Sequence, residues 1–253
     1  MPPKADEAQD ILEGVHPAFR AGRHLLRALP GGERCKMCAS PFGLPGYPIM
    51  RLLGKGRWPK NPNYCKQCFG QLVKERFGAE VTASLLFADV RGSTALAERI
   101  RPAEFRSRMN GFFRAASEAV IANDGIVDKF VGDEIVGIFI PALNGAQHAA
   151  NAIAAARRVV RDARERVELP VGAGVNSGLA YVGAVGDDLA VDFTAMGDPV
   201  NVAARLAAAA GAGEVLVSEA SVEFAKLETA ALEHRSLDLK GKSEKVDVVV
   251  LPA

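Results

Sequence analysis

The sequence predicts an α+β fold, an antiparallel sheet with helices packed against it, preceded by a small cysteine-bearing module. Three observations predict it. Apolar segments of strand length and of helix length alternate from about Val81 onward. All four cysteines, Cys35, Cys38, Cys65 and Cys68, fall in the first part of the chain. Charge divides at the same place: residues 1–78 hold 13 Lys and Arg against 6 Asp and Glu, a balance of +7, whereas residues 79–253 hold 18 against 24, a balance of −6. These shifts divide the chain into a helical or flexible segment over 1–34, a four-cysteine module with a connecting helix over 35–78, and a larger domain over 79–253.

Residues 1–9 are polar and read as flexible. From Asp10 to Leu29 the spacing is helical, interrupted by Gly14, Pro17 and Gly22, with Leu25, Leu26 and Leu29 as a short apolar face. Pro30-Gly31-Gly32 ends it. CKMC follows, then a Gly- and Pro-rich stretch, then CKQC. The run Phe69 to Phe77 (FGQLVKERF) reads as a helix that starts at the second cysteine pair and closes at Gly78. Thr82 to Val90 (TASLLFADV) is a buried strand ending on an acid. Pro102 to Asn123 is a helix with Phe105, Met109, Phe112, Phe113, Ala116 and Val120 on one side. Asp124-Gly125 turns the chain. Ile126 to Val131 and Ile135 to Ile140 form a hairpin around Gly132-Asp133-Glu134. Asn144 to Glu168 is an Ala-rich helix, Val171 to Val185 a strand, Asp198 to Ala210 a helix, GEVLVSE a strand, and Leu237 to Leu251 a terminal hairpin. Strand, helix, strand, strand, helix, strand is the ferredoxin-like βαββαβ order, here with C-terminal additions.

Bulk composition excludes several classes. Hydrophobic content of 49% with 24% charge is that of a globular chain, not a disordered one. No apolar run reaches the ~20 residues of a spanning helix. MPPKADEAQD lacks the apolar core of a secretory signal, so a cytoplasmic location with reduced thiols is expected.

The acids at strand ends carry the chemistry. Asp89 closes an apolar strand in LLFADVRGST, where packing has no use for a carboxylate. Asp133 sits in the hairpin tip of KFVGDEIVGIF. A sheet of this order brings a strand end and a neighbouring hairpin tip together. Two carboxylates sharing a site repel unless cations lie between them. Oxygen ligands suit Mg²⁺ or Mn²⁺, with nucleotide phosphates completing the shell. The bland alternative at each position is a solvated turn aspartate.

The segments LLFADVRGST, GIVDKFVGDEIVGIF and DFTAMGDPVNVAARL, in that order and spacing, resemble a class III adenylate/guanylate cyclase catalytic domain over roughly Val81 to Ala253. GDE alone also resembles diguanylate cyclases, but the NVAARL helix argues against them. The class III resemblance implies conversion of ATP to cyclic AMP and pyrophosphate with two Mg²⁺ or Mn²⁺ per site. It implies that Asp89 and Asp133 bind the ions, joined by the Val90 carbonyl. Amides around Gly92, Ser93 and Thr94 are implied to cradle phosphates. Lys129 and Thr194 match the purine-reading pair, Asn201 the ribose-orienting asparagine, Arg205 the transition-state arginine, and Lys240 in LKGKSE a triphosphate lysine.

Chemistry of the groups agrees with these roles. Adenine offers an acceptor at N1 and a donor at its amino group; Lys129 donates and the Thr194 hydroxyl accepts. Guanine has the opposite pattern and would need an acid in place of Lys129. Many family members carry Asp where Thr194 stands, and the threonine resembles a subgroup. A guanidinium at Arg205 contacts two oxygens of a phosphate at once. Lys129 and Asp133 are too close along one hairpin to serve one ligand easily. In the family the two halves of a site come from different subunits, so a head-to-tail homodimer with two equivalent sites is expected. The alternatives are a guanylate cyclase or an inactive nucleotide-binding scaffold.

The two CxxC pairs, 26 residues apart, signal a metal in a reduced compartment. Four thiolates suit Zn²⁺ or an iron–sulfur cluster, with Lys36 and Lys66 offsetting their charge; a redox dithiol or unligated cysteines are the other readings. The metal either staples a small module or regulates the domain that follows it. Arg51, Lys55, Arg57 and Lys60 around Trp58 raise single-strand nucleic-acid binding, against a solvated face as the preferred reading.

Overall fold

The structure, a computed structural model, describes every residue except 1–4, 59–60, 69, 71–76, 187–190 and 243. In chain order its elements are α1 (Ala5–Leu12), α2 (Pro17–Arg27), α3 (Tyr47–Leu52), β1 (Arg57–Trp58), β2 (Asn61–Cys65), β3 (Gly78–Val90), α4 (Ser93–Arg99), α5 (Pro102–Ala122), β4 (Ile126–Val131), β5 (Glu134–Phe139), α6 (Pro141–Asn144), α7 (His148–Val167), β6 (Val171–Gly186), β7 (Val191–Met196), α8 (Asp198–Ala209), β8 (Glu214–Ser218), α9 (Glu219–Ala225), β9 (Glu233–Leu237) and β10 (Val246–Pro252). They pack as two compact units. One holds Thr82–Phe139, Ala146–Leu179 and Gly197–Ala253; the other holds Met1–Val81, Ile140–Gly145 and Ala180–Met196.

In the first unit the strand order is β4-β5-β3-β6-β8-β10-β9. The first four strands, with α5 and α7, are the ferredoxin-like βαββαβ set in its expected order. β3 runs antiparallel to β5 with Ser84 opposite Phe139 and Asp89 opposite Glu134. Alternation along the strands splits the apolar residues between two faces. Leu86, Phe112, Ala116, Val120, Ala156 and Val217 belong to the larger cluster, which α5 and α7 cover. Leu216, Val248 and Val250 point the other way and meet Val202 and Leu206 of α8. Each fully buried side chain of this size contributes about 1.5–3 kcal/mol. α8 approaches so closely that a Cβ at Gly174 would lie 2.3 Å from Ala207 N and 2.6 Å from Ala203 O. Glycine at that point of β6 is therefore what lets the helix seat.

A chain of buried polar side chains crosses the same unit. Ser84 Oγ is 2.8 Å from His148 Nδ1 and 2.6 Å from Ser177 Oγ, and Ser177 Oγ is 2.8 Å from Ser221 Oγ. Burial lowers the His148 pKa from its ordinary 6.5, so the ring sits neutral in this chain.

In the second unit α1 buries Ala8 and Leu12, and Gly14, at φ 77, turns the chain where a Cβ would stand 3.2 Å from the Ala142 Cα. β1 and β2 form a short antiparallel pair. The end of β6 pairs with β7, with Gly183 opposite Thr194. Ala184 N donates to Phe77 O at 2.8 Å. A Cβ at Gly183 would fall 2.2 Å from the Gly78 Cα, so two glycine backbones meet where β3 begins.

Several expectations are corrected. Residues 5–9 are helical in α1 rather than flexible. Gly22 lies inside α2 and does not interrupt it. Leu25 and Leu29 are exposed and form no buried face; instead Arg34 Nη1 donates to Leu26 O and Nη2 to Leu29 O, capping the helix end. The single helix expected over 144–168 breaks at Gly145, whose φ is 56. β7 and α9 were not expected, and β9 starts at Glu233. Of the helix expected over Phe69–Phe77, most lies outside the described residues. Among the described residues no helix is long and apolar enough to cross a membrane.

Gly174→Ala is expected to lower unfolding free energy by about 1–3 kcal/mol, read as a lower denaturant midpoint at unchanged slope. A histidine held neutral binds fewer protons folded than unfolded, so its contribution is intact above 6.5 and is lost as pH falls below that value. Between about pH 7.5 and about pH 5.5, the midpoint of wild type should therefore fall further than that of His148→Gln, which keeps an amide for Ser84.

Candidate active site and cysteine centre

β3 keeps Val90 in the core and presents the partly exposed Asp89 opposite Glu134 of β5. Directly opposed residues on paired strands share a face of the sheet. Gly132, at φ 62, makes the tip of the β4–β5 hairpin and puts Asp133 beside them. The Asp89 carboxyl is pushed up to about 6, first by burial and then by hydrogen bonding with Asp133, while Arg91 pulls it back. Burial, then the charges of Asp89 and Asp133, pushes Glu134 up to about 7. A carboxyl pair close enough to share a proton is a place where a cation replaces that proton, so this donor set fits Mg²⁺ or Mn²⁺. Arg91 Nη2 stands 2.5 Å from Asp89 Oδ2. Beyond it Gly92, at φ 70, turns the chain into α4, which starts at Ser93 and Thr94. Glu134 and Arg91 were both missed as site residues in the sequence, although GDE and VRG print them beside the acids that were chosen.

Lys129 owes its placement to a bulge. Val127 faces Gly137 and Phe130 faces Ile135, so three steps on β4 match two on β5, and Asp128 and Lys129 fall in the irregularity. Lys129 is half-buried, with Nζ 3.7 Å from Asp128 Oδ1. Next to it Phe130 stacks on Phe113 at 4.3 Å between centroids yet stays 48% exposed, and Val131 is 52% exposed.

Asn201 and Arg205 lie one turn apart on α8. The loop carrying Lys240 folds against them: a Cβ at Gly241 would be 3.3 Å from Arg205 Nη2, and Lys242 Nζ is 2.6 Å from Asp198 Oδ2. The structure thus groups Asn201, Arg205 and the Lys240 loop, and separately groups Asp89, Asp133 and Glu134. Among the described residues no hydrogen bond or ion pair joins the two groups. Thr194 is buried on β7, in the unit that also holds the cysteines.

The four cysteines are free and buried, with all Sγ atoms within 4.8 Å of one another. Cys38 and Cys65 Sγ are 3.8 Å apart. Cys65 N donates to Cys35 Sγ at 3.3 Å and Cys68 N to Cys65 Sγ at 3.4 Å. Lys55 Nζ stands 4.0 Å from Cys38 Sγ. Thiol–thiol hydrogen bonding, led by the bond from Cys35, lowers Cys38 and also holds Cys65 down at about 7. A tetrahedral ion with metal–sulfur bonds of about 2.3 Å has sulfur–sulfur edges of about 3.8 Å. The donor set fits one such ion.

Comparison with known proteins covers the same region. The family model for the adenylate and guanylate cyclase catalytic domain matches residues 77–251. An adenylate cyclase of Anabaena cylindrica is 29% identical over 183 residues, which is 67% of this chain and 36% of that protein. This chain therefore spans little more than a third of that curated relative. The crystal structure of the adenylyl cyclase CyaB from P. aeruginosa superposes with a TM-score of 0.62 at 28% identity, covering 70% of this chain and 96% of the other. The guanylyl cyclase Cya2 gives a TM-score of 0.63 at 23% identity over 68% of this chain and 92% of the other, a likeness of fold. With the family match running from Phe77 through the acids, the α8 helix and the last strand, the chain belongs to the adenylate and guanylate cyclase catalytic domain family.

Proposed function

We propose that this protein converts ATP to 3′,5′-cyclic AMP and pyrophosphate, and that its cysteine centre regulates the reaction. The observation that carries the reading is the Asp89–Asp133 carboxyl pair at one sheet end, with Lys129 on the same hairpin as Asp133. Asp89, Asp133 and the Val90 carbonyl are the residues that would hold two Mg²⁺ or Mn²⁺ ions. Bound there, the ions supply charge neutralisation on the triphosphate and a lower pKa for the attacking hydroxyl.

The chain's own groups do the rest. Lys129 donates to adenine N1 and Thr194 accepts from the amino group. Asn201 orients the ribose. Amides of Gly92, Ser93 and Thr94 and the Lys240 ammonium hold the phosphates. The ribose 3′-oxygen loses its proton to solvent and attacks the α-phosphorus, the bond to the bridging oxygen breaks, and pyrophosphate leaves with that oxygen. Arg205 stabilises the charge that builds on the α-phosphate.

A head-to-tail homodimer completes each site. Lys129 and Asp133 sit on one hairpin, and the same hairpin exposes Phe130 and Val131, which a partner chain would bury. The division into 1–34, 35–78 and 79–253 remains our proposed domain plan, and the reducing cytoplasm our proposed compartment, consistent with four unpaired thiols.

For the cysteines we propose a single tetrahedral Zn²⁺ over an iron–sulfur cluster, because a cluster spreads its thiolates over several irons and these lie within 4.8 Å. Regulation has a route within one unit. Gly78, which follows the module, packs on Gly183, and Gly183 is the register partner of Thr194.

Pure protein with Mn²⁺ should form cyclic AMP from ATP, with GTP the poorer substrate; preference for GTP would overturn the base reading. Asp89→Ala should lose at least about 10²-fold in turnover, and retained activity would sink the metal assignment. Lys129→Glu should shift the ATP-to-GTP ratio of kcat/KM by about tenfold or more toward GTP. The purified holoprotein should be colourless with one zinc per chain. Broad visible absorption would instead mean an iron–sulfur centre. Equal cyclase rates for metal-loaded and metal-stripped dimers would rule out regulation by the centre.

A further inference from the structure

Arg91 touches Asp89 of one group of site residues and, through Ala208, the helix that carries Asn201 and Arg205 of the other. Its guanidinium divides its donors: Nη2 goes to Asp89 Oδ2 at 2.5 Å, Nε to the Asp89 carbonyl at 3.3 Å, and Nη1 to the Ala208 carbonyl at 3.0 Å. Its backbone N–H donates to Pro170 O at 2.7 Å, which pins the residue itself. Ala208 lies in the last turn of α8, three residues after Arg205. Carbonyls in a helix's last turn have no intrahelical donor and favour a cation.

We propose that Arg91 is a positioning residue that couples the cation-binding end of β3 to the helix carrying Asn201 and Arg205. The proposal rests on the cyclase reading for what the two ends do. Asp89 and Arg91 are both partly withdrawn from water, with side chains 29% and 22% exposed, so their interaction is weakly screened. A divalent cation and the guanidinium compete for the same Asp89 oxygen. When the cation takes it, Arg91 keeps the Ala208 carbonyl, and α8 feels the change. Only arginine serves here, because its forked donors reach a carboxylate and a carbonyl at once, whereas an ammonium acts as a point charge. Coupling of this kind is reciprocal: whatever moves α8 alters cation affinity at Asp89. In the proposed head-to-tail dimer, Asp89 and Arg205 of one chain serve different sites. Arg91 would then report cation loading at one site to the phosphate-stabilising group of the other.

The test uses the full chain and Mn²⁺ alone, titrated by the electron paramagnetic resonance signal of free Mn²⁺, with circular dichroism to confirm folding. Arg91→Gln removes the competing charge and should bind Mn²⁺ about three- to tenfold more tightly. Arg91→Lys keeps the charge, should stay within about twofold of wild type in Mn²⁺ affinity, and should still lose about fivefold in kcat with KM for ATP unchanged. A merely structural arginine would give equal or weaker Mn²⁺ binding in folded Arg91→Gln, and that result overturns the proposal. Wild-type kcat in Arg91→Lys overturns it too, and this variant decides the matter if Arg91→Gln does not fold. Should wild type form no cyclic nucleotide, the cyclase reading fails, while tighter or unchanged Mn²⁺ binding in Arg91→Gln still upholds or overturns the Arg91–Asp89 competition.

Discussion

Three carboxyl groups held at one end of two paired strands set the terms for the whole site. Register forces Asp89 and Glu134 together, and the hairpin tip adds Asp133. The strands cannot slide apart to relieve the repulsion, because a one-residue slip would turn every buried side chain of β3 and β5 to the wrong face. Relief must come from charge. Protons supply it at low pH: carboxyls whose pKa values are raised by folding stabilise the fold below their ordinary values and lose that effect as pH climbs. For Asp89 the loss runs from 3.8 to about 6, and for Glu134 from 4.5 to about 7. As those protons leave, Arg91 is the charge that still offsets Asp89 and Glu134, so a divalent cation binding the folded state is favoured where the protons have gone. His148 works in the opposite sense in the same unit, since acid costs it stability.

Much of this was legible in the sequence because the signals are local. An apolar strand that stops on Asp89, a glycine that permits the turn before Asp133, and apolar spacing along α5 each depend on neighbours in the chain. The signals that were missed are long-range or compete with stronger ones. Arg91 reaches Ala208 across 117 residues, and no spacing rule connects them. The bulge at Asp128 and Lys129 appears only once β4 is laid on β5. Leu25 and Leu29 have helical spacing, but nothing in the described unit covers them, and periodicity alone cannot tell a buried face from an unpartnered one. Asn144 to Glu168 reads as one apolar-periodic run, yet Gly145 at positive φ outweighs the pattern.

Glycine placement explains how distant segments of the site come together. Gly174 lets α8 lie on β6 with backbone against backbone. Gly241 then leaves room for the Arg205 guanidinium, so that the Lys240 loop, thirty-odd positions later in the chain, closes on the same helix. Asn201, Arg205 and Lys240 are therefore gathered by missing side chains as much as by attractive contacts. The loop contributes the Lys240 ammonium, and the helix contributes the Asn201 amide and the Arg205 guanidinium.

The proposed base-reading pair is split in a way the acids are not. Lys129 shares a unit with Asp89, Asp133 and Arg205, whereas Thr194 belongs to the unit that contains the cysteines. Its strand partner Gly183 is packed on Gly78, the residue from which β3 departs the cysteine module. Neither glycine can yield by rotating a side chain, so a displacement of one backbone is passed to the other. Under the proposed function, a change at the cysteine centre would therefore reach the adenine amino group before it reached the phosphates. That ordering separates control of substrate choice and affinity from control of the chemical step. Under the same two proposals the acids would answer to Arg91 and α8, and the purine to the module that precedes the domain.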